Sequence, residues 1–410
     1  MGTYGFPVHA VPWLLYHMER HGFVEEYRGI SKDSSLAISA AKGKISFLRL
    51  QNLRNSVQGG QQRPFISLLS LLRFCQATDP KDKIFAILGV VTDIDLSQPG
   101  MEISYSPSES VAQLYTRIAG AAMVSNARNV IELLWEGGSA LHPRLPDLPS
   151  WVPDWSVTRA GTPLGGLYSA GYSCGEFVDV EFNLDSSSTV LKLKAIIFDT
   201  IWKTSTPHKP HVETPRTDVY FALNTYHWIN SARAVCNALT DENYVHTGQV
   251  TEEAFWRTLI GDKTHTDLPA TEAYSNQWKS VMTQQRFIDE ALQGVQLDEN
   301  GDMPGLAIND PTGEYTAALK GSRLYHHALH NMVYTRSFCL SQDRYMAMVP
   351  GDSKPGDAIC IVAGSMIPFI IRKMADGMWK LLGDCYVHGI TRGELVSNKE
   401  SLRWEVISLA

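Results

Sequence analysis

The apolar C-terminal stretch of this chain carries five polar side chains that could do chemistry: Arg336, Asp357, Arg372, Tyr386 and His388. Gathered at one end of a sheet, they would offer a histidine for proton transfer with a phenol close by. Two guanidinium groups would be available to donate to a carbonyl or an anion. The same residue types also make buried salt bridges and turn bonds, Asp357 above all, because it follows Pro355 and Gly356. A second constellation is Trp151, Asp154 and Trp155, in the run Leu148-Pro149-Ser150-Trp151-Val152-Pro153-Asp154-Trp155-Ser156. Two indoles beside a carboxylate on a proline-bracketed loop fit an apolar pocket with one acid. They also fit a rigid connection whose tryptophans fill a core and whose aspartate caps a neighbour.

Other motifs carry less chemistry. Gly171, Ser173 and Gly175 match G-x-S-x-G, but a nucleophile elbow needs a strand before it and a helix after it. Here Pro163, Gly165 and Gly166 precede and an alternating Phe177 to Phe182 run follows, so Ser173 reads as a loop residue. His326 and His330 would share a helix face, a spacing that can hold a metal. The glutamate of H-E-x-x-H is missing and no third ligand presents itself, so surface or groove histidines and no metal site are expected. No glycine-rich phosphate loop occurs, which removes the usual handle for nucleotide, flavin or nicotinamide binding. An enzyme built on this chain would work without a cofactor.

These residues need elements to position them. Residues 1–63 are weakly patterned, with a short helix expected around 12–21. From 64 to 135 the pattern is helical: Phe65 to Phe74, then a helix capped by Asp79 with Pro80 at its first position and Gly89 closing it in the left-handed region. Ser106 to Val124 follows, with Ser106 and Glu109 as a capping box. Residues 141–155 form a proline-rich bridge into strands at Val178 to Phe182 and Val190 to Phe198. Helices return at Asp218 to Leu239, Thr251 to Leu259, Ala270 to Leu292 and Arg323 to Thr335. Short apolar runs at Ala358 to Ala363, Ile367 to Ile371, Trp379 to Leu382 and Tyr386 to His388 read as a strand meander. The expectation is an α+β fold, a helical region over 1–140 and a mixed region over 141–410. The sheet would be mostly antiparallel, built from residues near 176–202 and 336–404.

Composition bounds the function. At 410 residues the chain can bury a large core. A net charge of −7 leaves no basic footprint for nucleic acid or anionic membrane, and no run is long enough for a membrane span. Six scattered cysteines without C-x-x-C read as buried reduced thiols, and the expected compartment is the cytoplasm.

Three blocks carry a family resemblance. The first is Ala77-Thr78-Asp79-Pro80-Lys81-Asp82-Lys83-Ile84-Phe85-Ala86-Ile87-Leu88-Gly89. The second is the tryptophan-rich run from Leu148 to Trp155. The third comprises Arg336 and Phe338, Pro350 with Gly356-Asp357, Gly364/Pro368/Arg372, and Tyr386-Val387-His388-Gly389 with Gly393-Glu394. Together they resemble the fungal heterokaryon-incompatibility family in its C-terminal region. The segment Ser341 to Met348 is bulkier and more polar than that family's pattern. The family's N-terminal core signatures do not occur, so the resemblance does not carry over any activity that resides there.

Two functions follow as expectations. One is a cofactor-independent enzyme of fungal natural-product biosynthesis, catalysing cyclisation or rearrangement of a small apolar terpenoid or polyketide. An intramolecular cycloaddition, with or without dehydration, would suit it. His388, Asp154 and Tyr386 would be its catalytic groups, and Trp151, Trp155, Arg336 and Arg372 its substrate contacts. Its pocket would lie between the Trp151 to Trp155 loop and the C-terminal sheet. The other is an incompatibility module that detects a protein partner and performs no catalysis.

Overall fold

The computed structural model describes residues 64–410, apart from 74, 76, 90, 92, 139–143, 158–162, 166–171, 176–177, 185–188, 209–217, 294–307 and 396–402. The helix expected at 12–21 lies outside the described residues. The described residues form nine helices and one nine-stranded, mostly antiparallel sheet, an α+β fold as the residue pattern predicts. The described residues divide into two compact units: those of 64–106 with 155–157, and the remainder.

In the first unit, α1 (Phe65–Leu72) and α2 (Asp82–Leu88) pack together. The backbone N–H of Phe65 donates to both carboxylate oxygens of Asp93, at 3.1 and 3.0 Å, satisfying one of the open donors of a helix start. Asp79 caps as expected in kind but one turn earlier than the α-helix proper. Its Oδ1 accepts from Lys81 N at 2.9 Å and its carbonyl from Asp82 N at 3.0 Å. Ile84, Phe85, Ile87 and Leu88 are the buried face of α2. Gly89 ends it at φ −70°, so the expected left-handed stop is corrected: no backbone inversion is needed there.

The second unit opens with α3 (Val111–Ser125) and α4 (Arg128–Glu136). The capping box of α3 is Ser110 with Gln113, four residues beyond the expected Ser106 and Glu109. Ser110 Oγ accepts from Gln113 N at 3.1 Å, and Gln113 Oε1 accepts from Ser110 N at 2.8 Å. Glu109 is instead drawn to the guanidinium of Arg117, at 2.7 and 3.1 Å.

The strands are β1 (Phe182–Leu184), β2 (Leu191–Thr204), β3 (Arg336–Ser341), β4 (Met346–Pro350), β5 (Ala358–Val362), β6 (Phe369–Lys373), β7 (Trp379–Asp384), β8 (Tyr386–Val387) and β9 (Glu405–Leu409). Between β2 and β3 lie α5 (Asp218–Cys236), α6 (Thr251–Leu259), α7 (Ala273–Leu292), α8 (Glu314–Gly321) and α9 (Arg323–Val333). The sheet closes on itself. β2 pairs with β3, β3 with β4, β4 with β8, β7 with β6, β6 with β5, and β5 with β2 again. Only Cys385 separates β7 from β8, so the two act as one stave. The 14-residue β2 serves four neighbours: β1 at Leu191 to Leu193, β9 at Leu191 to Ala195, β5 at Ala195 to Thr200, and β3 at Ile201 to Thr204. Bulges in the β5 and β3 pairings bend it around the wall.

Alternation then makes two cores from one wall. Ile196, Ile201, Cys339, Ala347, Val349, Ile359, Ile361, Ile370, Leu382, Cys385 and Val387 point inward and fill the barrel with side chains. Their neighbours Phe338, Leu340, Met346, Met348 and Tyr386 point outward and join residues of α5, α6, α7 and α9 in a second cluster. Every inner Ile, Leu or Val so buried favours folding by about 1.5–3 kcal/mol. No helix among the described residues is long and apolar enough to cross a membrane.

Candidate functional site

The stave β7–β8 sets the site. Because Cys385 and Val387 point into the barrel, Tyr386 and His388 point out toward the helices. His388 is anchored by its backbone N–H, which donates to Met346 O at 2.9 Å. Its ring is held at both nitrogens: Nδ1 lies 2.8 Å from the Tyr386 hydroxyl and Nε2 lies 2.7 Å from Gln249 Oε1. An amide oxygen only accepts, so Nε2 carries the proton and Nδ1 accepts from the Tyr386 O–H. The Thr247 hydroxyl also donates to Gln249 Oε1 at 2.9 Å, and Gln249 Nε2 donates to Glu253 at 3.5 Å, which agrees with that amide orientation.

The relay runs onward to the surface. Glu253 Oε1 accepts from Arg257 Nε at 2.8 Å, and Arg257 donates to Asp262 Oδ1 at 2.7 Å. Asp262 Oδ2 takes the exposed Arg392 at 2.7 Å. Asp262 stands at φ 50° directly after Gly261 at φ 61°, the tight reversal that ends α6 and swings this carboxylate back beneath it. Burial, reinforced by the positive charges of Arg257 and Arg392, holds His388 down at about 3, so it is neutral at ordinary pH. Burial pushes the Tyr386 and Tyr244 phenols up, and raises the Asp262 carboxyl against the pull of its two arginines. Tyr244 completes the packing: its hydroxyl donates to His388 O at 3.2 Å and accepts from Met346 N at 2.9 Å. The Tyr172 ring lies 5.6 Å from that of Tyr386.

The other expected site residues are tied elsewhere. Arg336 donates to Asp384 O at 2.6 Å and to the Asp384 carboxylate, in a pair that is almost wholly buried. The other Asp384 oxygen accepts from Leu164 N at 2.6 Å. Buried Lys263 adds a further pair with Asp267 at 3.3 Å, and burial lowers its pKa. Arg372 grips both oxygens of Asp357 at 2.8 Å each and the Asp352 carbonyl at 2.9 Å, and Asp357 also accepts from Lys354 N. That clasp fixes the turn before β5. Asp154 is buried and accepts from Leu145 N at 2.8 Å, while Trp151 donates its indole N–H to Thr189 O at 3.1 Å. Trp155 is also buried and belongs to the first unit, whereas Trp151 and Asp154 belong to the second. Tyr386 and His388 are therefore neighbours, whereas Arg372 has its own turn and Asp154 its own loop. His326 meets Gln284 Oε1 at 3.1 Å, and burial lowers it to about 4. Ser173 lies in no helix or strand, its N–H donating to Thr391 O.

A cleft of about 590 Å³ opens elsewhere on the second unit, between α6 and α7. Trp256, Trp278 and Met282 form its floor, and Glu253 of the relay stands on its rim. Sequence reasoning singled out none of Gln249, Glu253, Arg257 or Asp262 for this site. The Gly261-Asp262 pair after a helix was a readable stop signal, but nothing in its spacing points to His388, 126 positions away by number.

A family model described as the Het-6 β-barrel domain matches residues 189–404, just over half of the chain. The heterokaryon incompatibility protein 6, OR allele, of Neurospora crassa is 27% identical over 359 residues, covering 79% of this chain and 50% of that protein. The chain spans about half the length of this curated relative. No solved structure matches. The matched span holds every stave of the closed ring, together with α6, which carries Glu253 and Arg257, and the loop before it that brings Gln249 to His388. The chain belongs to the Het-6 β-barrel domain family.

Proposed function

We propose that the chain is a recognition module of the heterokaryon-incompatibility type, acting through contact with a protein partner rather than through catalysis. The observation that carries this reading is the state of His388. Both ring nitrogens are engaged within the protein, and burial keeps the ring neutral, so it stands as a tie between barrel and helices. Arg336 on Asp384 and Arg372 on Asp357 fit the same role. Similarity to a heterokaryon incompatibility protein over 79% of the chain supports the reading from a second direction. The proposed compartment is the cytoplasm, in keeping with six cysteines that are all free thiols.

A second reading keeps the cofactor-independent cyclisation enzyme acting on a small apolar substrate. What favours it is the α6–α7 cleft, whose volume of about 590 Å³ suits a small-molecule site and whose floor holds two indoles. Deleting the gene in its host fungus and following both colony fusion and metabolites separates the two. Altered fusion compatibility with unchanged metabolites supports the recognition module. Loss of a cyclised product with build-up of its less cyclised precursor would overturn it in favour of the enzyme.

A further inference from the structure

The hydrogen-bond chain from Tyr386 to Glu253 has a direction, although its middle links could run either way. The Tyr386 O–H donates to His388 Nδ1 at 2.8 Å, and His388 Nε2–H donates to Gln249 Oε1 at 2.7 Å. The amide nitrogen of Gln249 then faces Glu253 Oε1 at 3.5 Å. Turning the Gln249 amide over would present its N–H to His388 Nε2 and place the ring proton on Nδ1 instead. The Thr247 hydroxyl, 2.9 Å from Gln249 Oε1, would accept where it now donates. Neither the imidazole nor the threonine selects one direction over the other.

Two groups do select, one at each end. At the buried end, the Tyr386 hydroxyl proton has His388 Nδ1 as its acceptor, so a proton on Nδ1 would strand it inside the protein. At the outer end, Glu253 Oε1 can only accept. A reversed Gln249 would set its oxygen against that carboxylate oxygen with no proton between them. The contact is long, and it works by excluding the reversed amide rather than as a strong bond. Glu253 is itself held still, because Arg257 Nε donates to the same oxygen at 2.8 Å. Arg257 is fixed in turn by Asp262 Oδ1 at 2.7 Å, by the Ala270 carbonyl at 3.0 Å and by the Trp256 ring at 4.6 Å. The Glu253 side chain is 39% exposed, so the direction of a buried chain is set in part from the surface.

We propose that Glu253 is a positioning residue that fixes the tautomer of His388 through the Gln249 amide, as a second lock beside Tyr386. The two residues act on one proton from opposite ends of the chain. Either lock alone keeps that proton on Nε2, and removing both frees it. Networks of this kind couple groups that a single deletion reports as dispensable, which is why a pair of substitutions is needed to see the effect. The lock presupposes that His388 is the tie between barrel and helices proposed above.

The test is nitrogen-15 NMR of the His388 ring in the full chain near neutral pH. The parent, Tyr386→Phe and Glu253→Leu should each show one neutral form with the proton on Nε2. The double variant Tyr386→Phe/Glu253→Leu should populate both neutral forms, drawing the two ring-nitrogen signals toward each other. Tyr386→Phe/Glu253→Gln should restore the single form, because Arg257 keeps the new amide oxygen turned to accept from Gln249. A merely structural role for Glu253 would not move the proton in this pattern. Exchange in Tyr386→Phe alone, a single Nε2–H form in the leucine double variant, or mixed forms in the glutamine one would each overturn the proposal. The parent separates the two ideas. A single form there with a failed variant pattern strikes only the role of Glu253, whereas a mobile proton in the parent strikes the tie as well.

Discussion

Replacing His388 by glutamine tests what the histidine does for the fold. The substitution disrupts the acceptor for the buried Tyr386 hydroxyl and the donor to Gln249, so it should cost on the order of 1–3 kcal/mol in denaturant unfolding. The pH dependence has a definite sign. Above pH 6.5, the ordinary value, His388 is neutral in both folded and unfolded chains and contributes no slope. Below 6.5 the unfolded chain takes up a proton that the folded chain refuses until about pH 3. Stability should therefore fall with acidification across that window, by about 1.4 kcal/mol per pH unit once the unfolded histidine is fully titrated. His326, depressed to about 4 by the same cause, adds a slope of the same sign over the narrower window between 6.5 and about 4. Unfolding curves between pH 7.5 and 5 should show a shallower dependence in His388→Gln than in the parent chain. Tyr386 and His388 were legible as a pair because two positions along a strand share a face. Gln249 and Asp262 were not, because their approach to His388 depends on how α6 crosses the barrel, which no local spacing encodes.

Helices and strands were legible where start and stop chemistry was unambiguous. The ends of α6, Thr251 and Leu259, follow from a threonine and two glutamates at the start and Gly261-Asp262 beyond the end. α3 began later than Ser106 because Ser110 offers the same cap four residues on, while Glu109 is claimed by Arg117. α4 and α8 were not singled out: each is only two or three turns long, and the side chains that accept from their first N–H groups, Asn126 and Asp310, stand two and four residues before the helix rather than at its N-cap. α2 carries a paired prediction. Asp79→Ala should cost about 1 kcal/mol, since it removes the acceptor for Lys81 N. Gly89→Ala should be neutral or stabilising by up to about 1 kcal/mol, because the backbone there is right-handed and a Cβ would meet nothing within 4 Å. Thermal unfolding of the two variants checks both signs. A large loss in Gly89→Ala would restore the left-handed stop that the residue pattern predicts.

At the scale of the whole molecule, the sheet was readable as a meander but its closure was not. Closure depends on β2 bending to pair with both β5 and β3 and on β7 and β8 acting as one stave, both long-range events. Once closed, the wall has an inside packed with Ile, Val, Leu and cysteine and an outside that grips a helical layer. The polar residues that first looked like chemistry hold this arrangement: Arg336 ties β3 to the end of β7, Arg372 ties β6 to the turn before β5, and His388 ties the barrel to α6. The central claim is that His388 is such a tie. Its ring should be followed by nitrogen-15 NMR from pH 8 to pH 5 in the intact chain. A single neutral form with the proton on Nε2 is expected, unshifted across the whole range. A titration midpoint near 6.5, or a proton exchanging between the two nitrogens, would contradict it and return His388 to the role of an available acid and base.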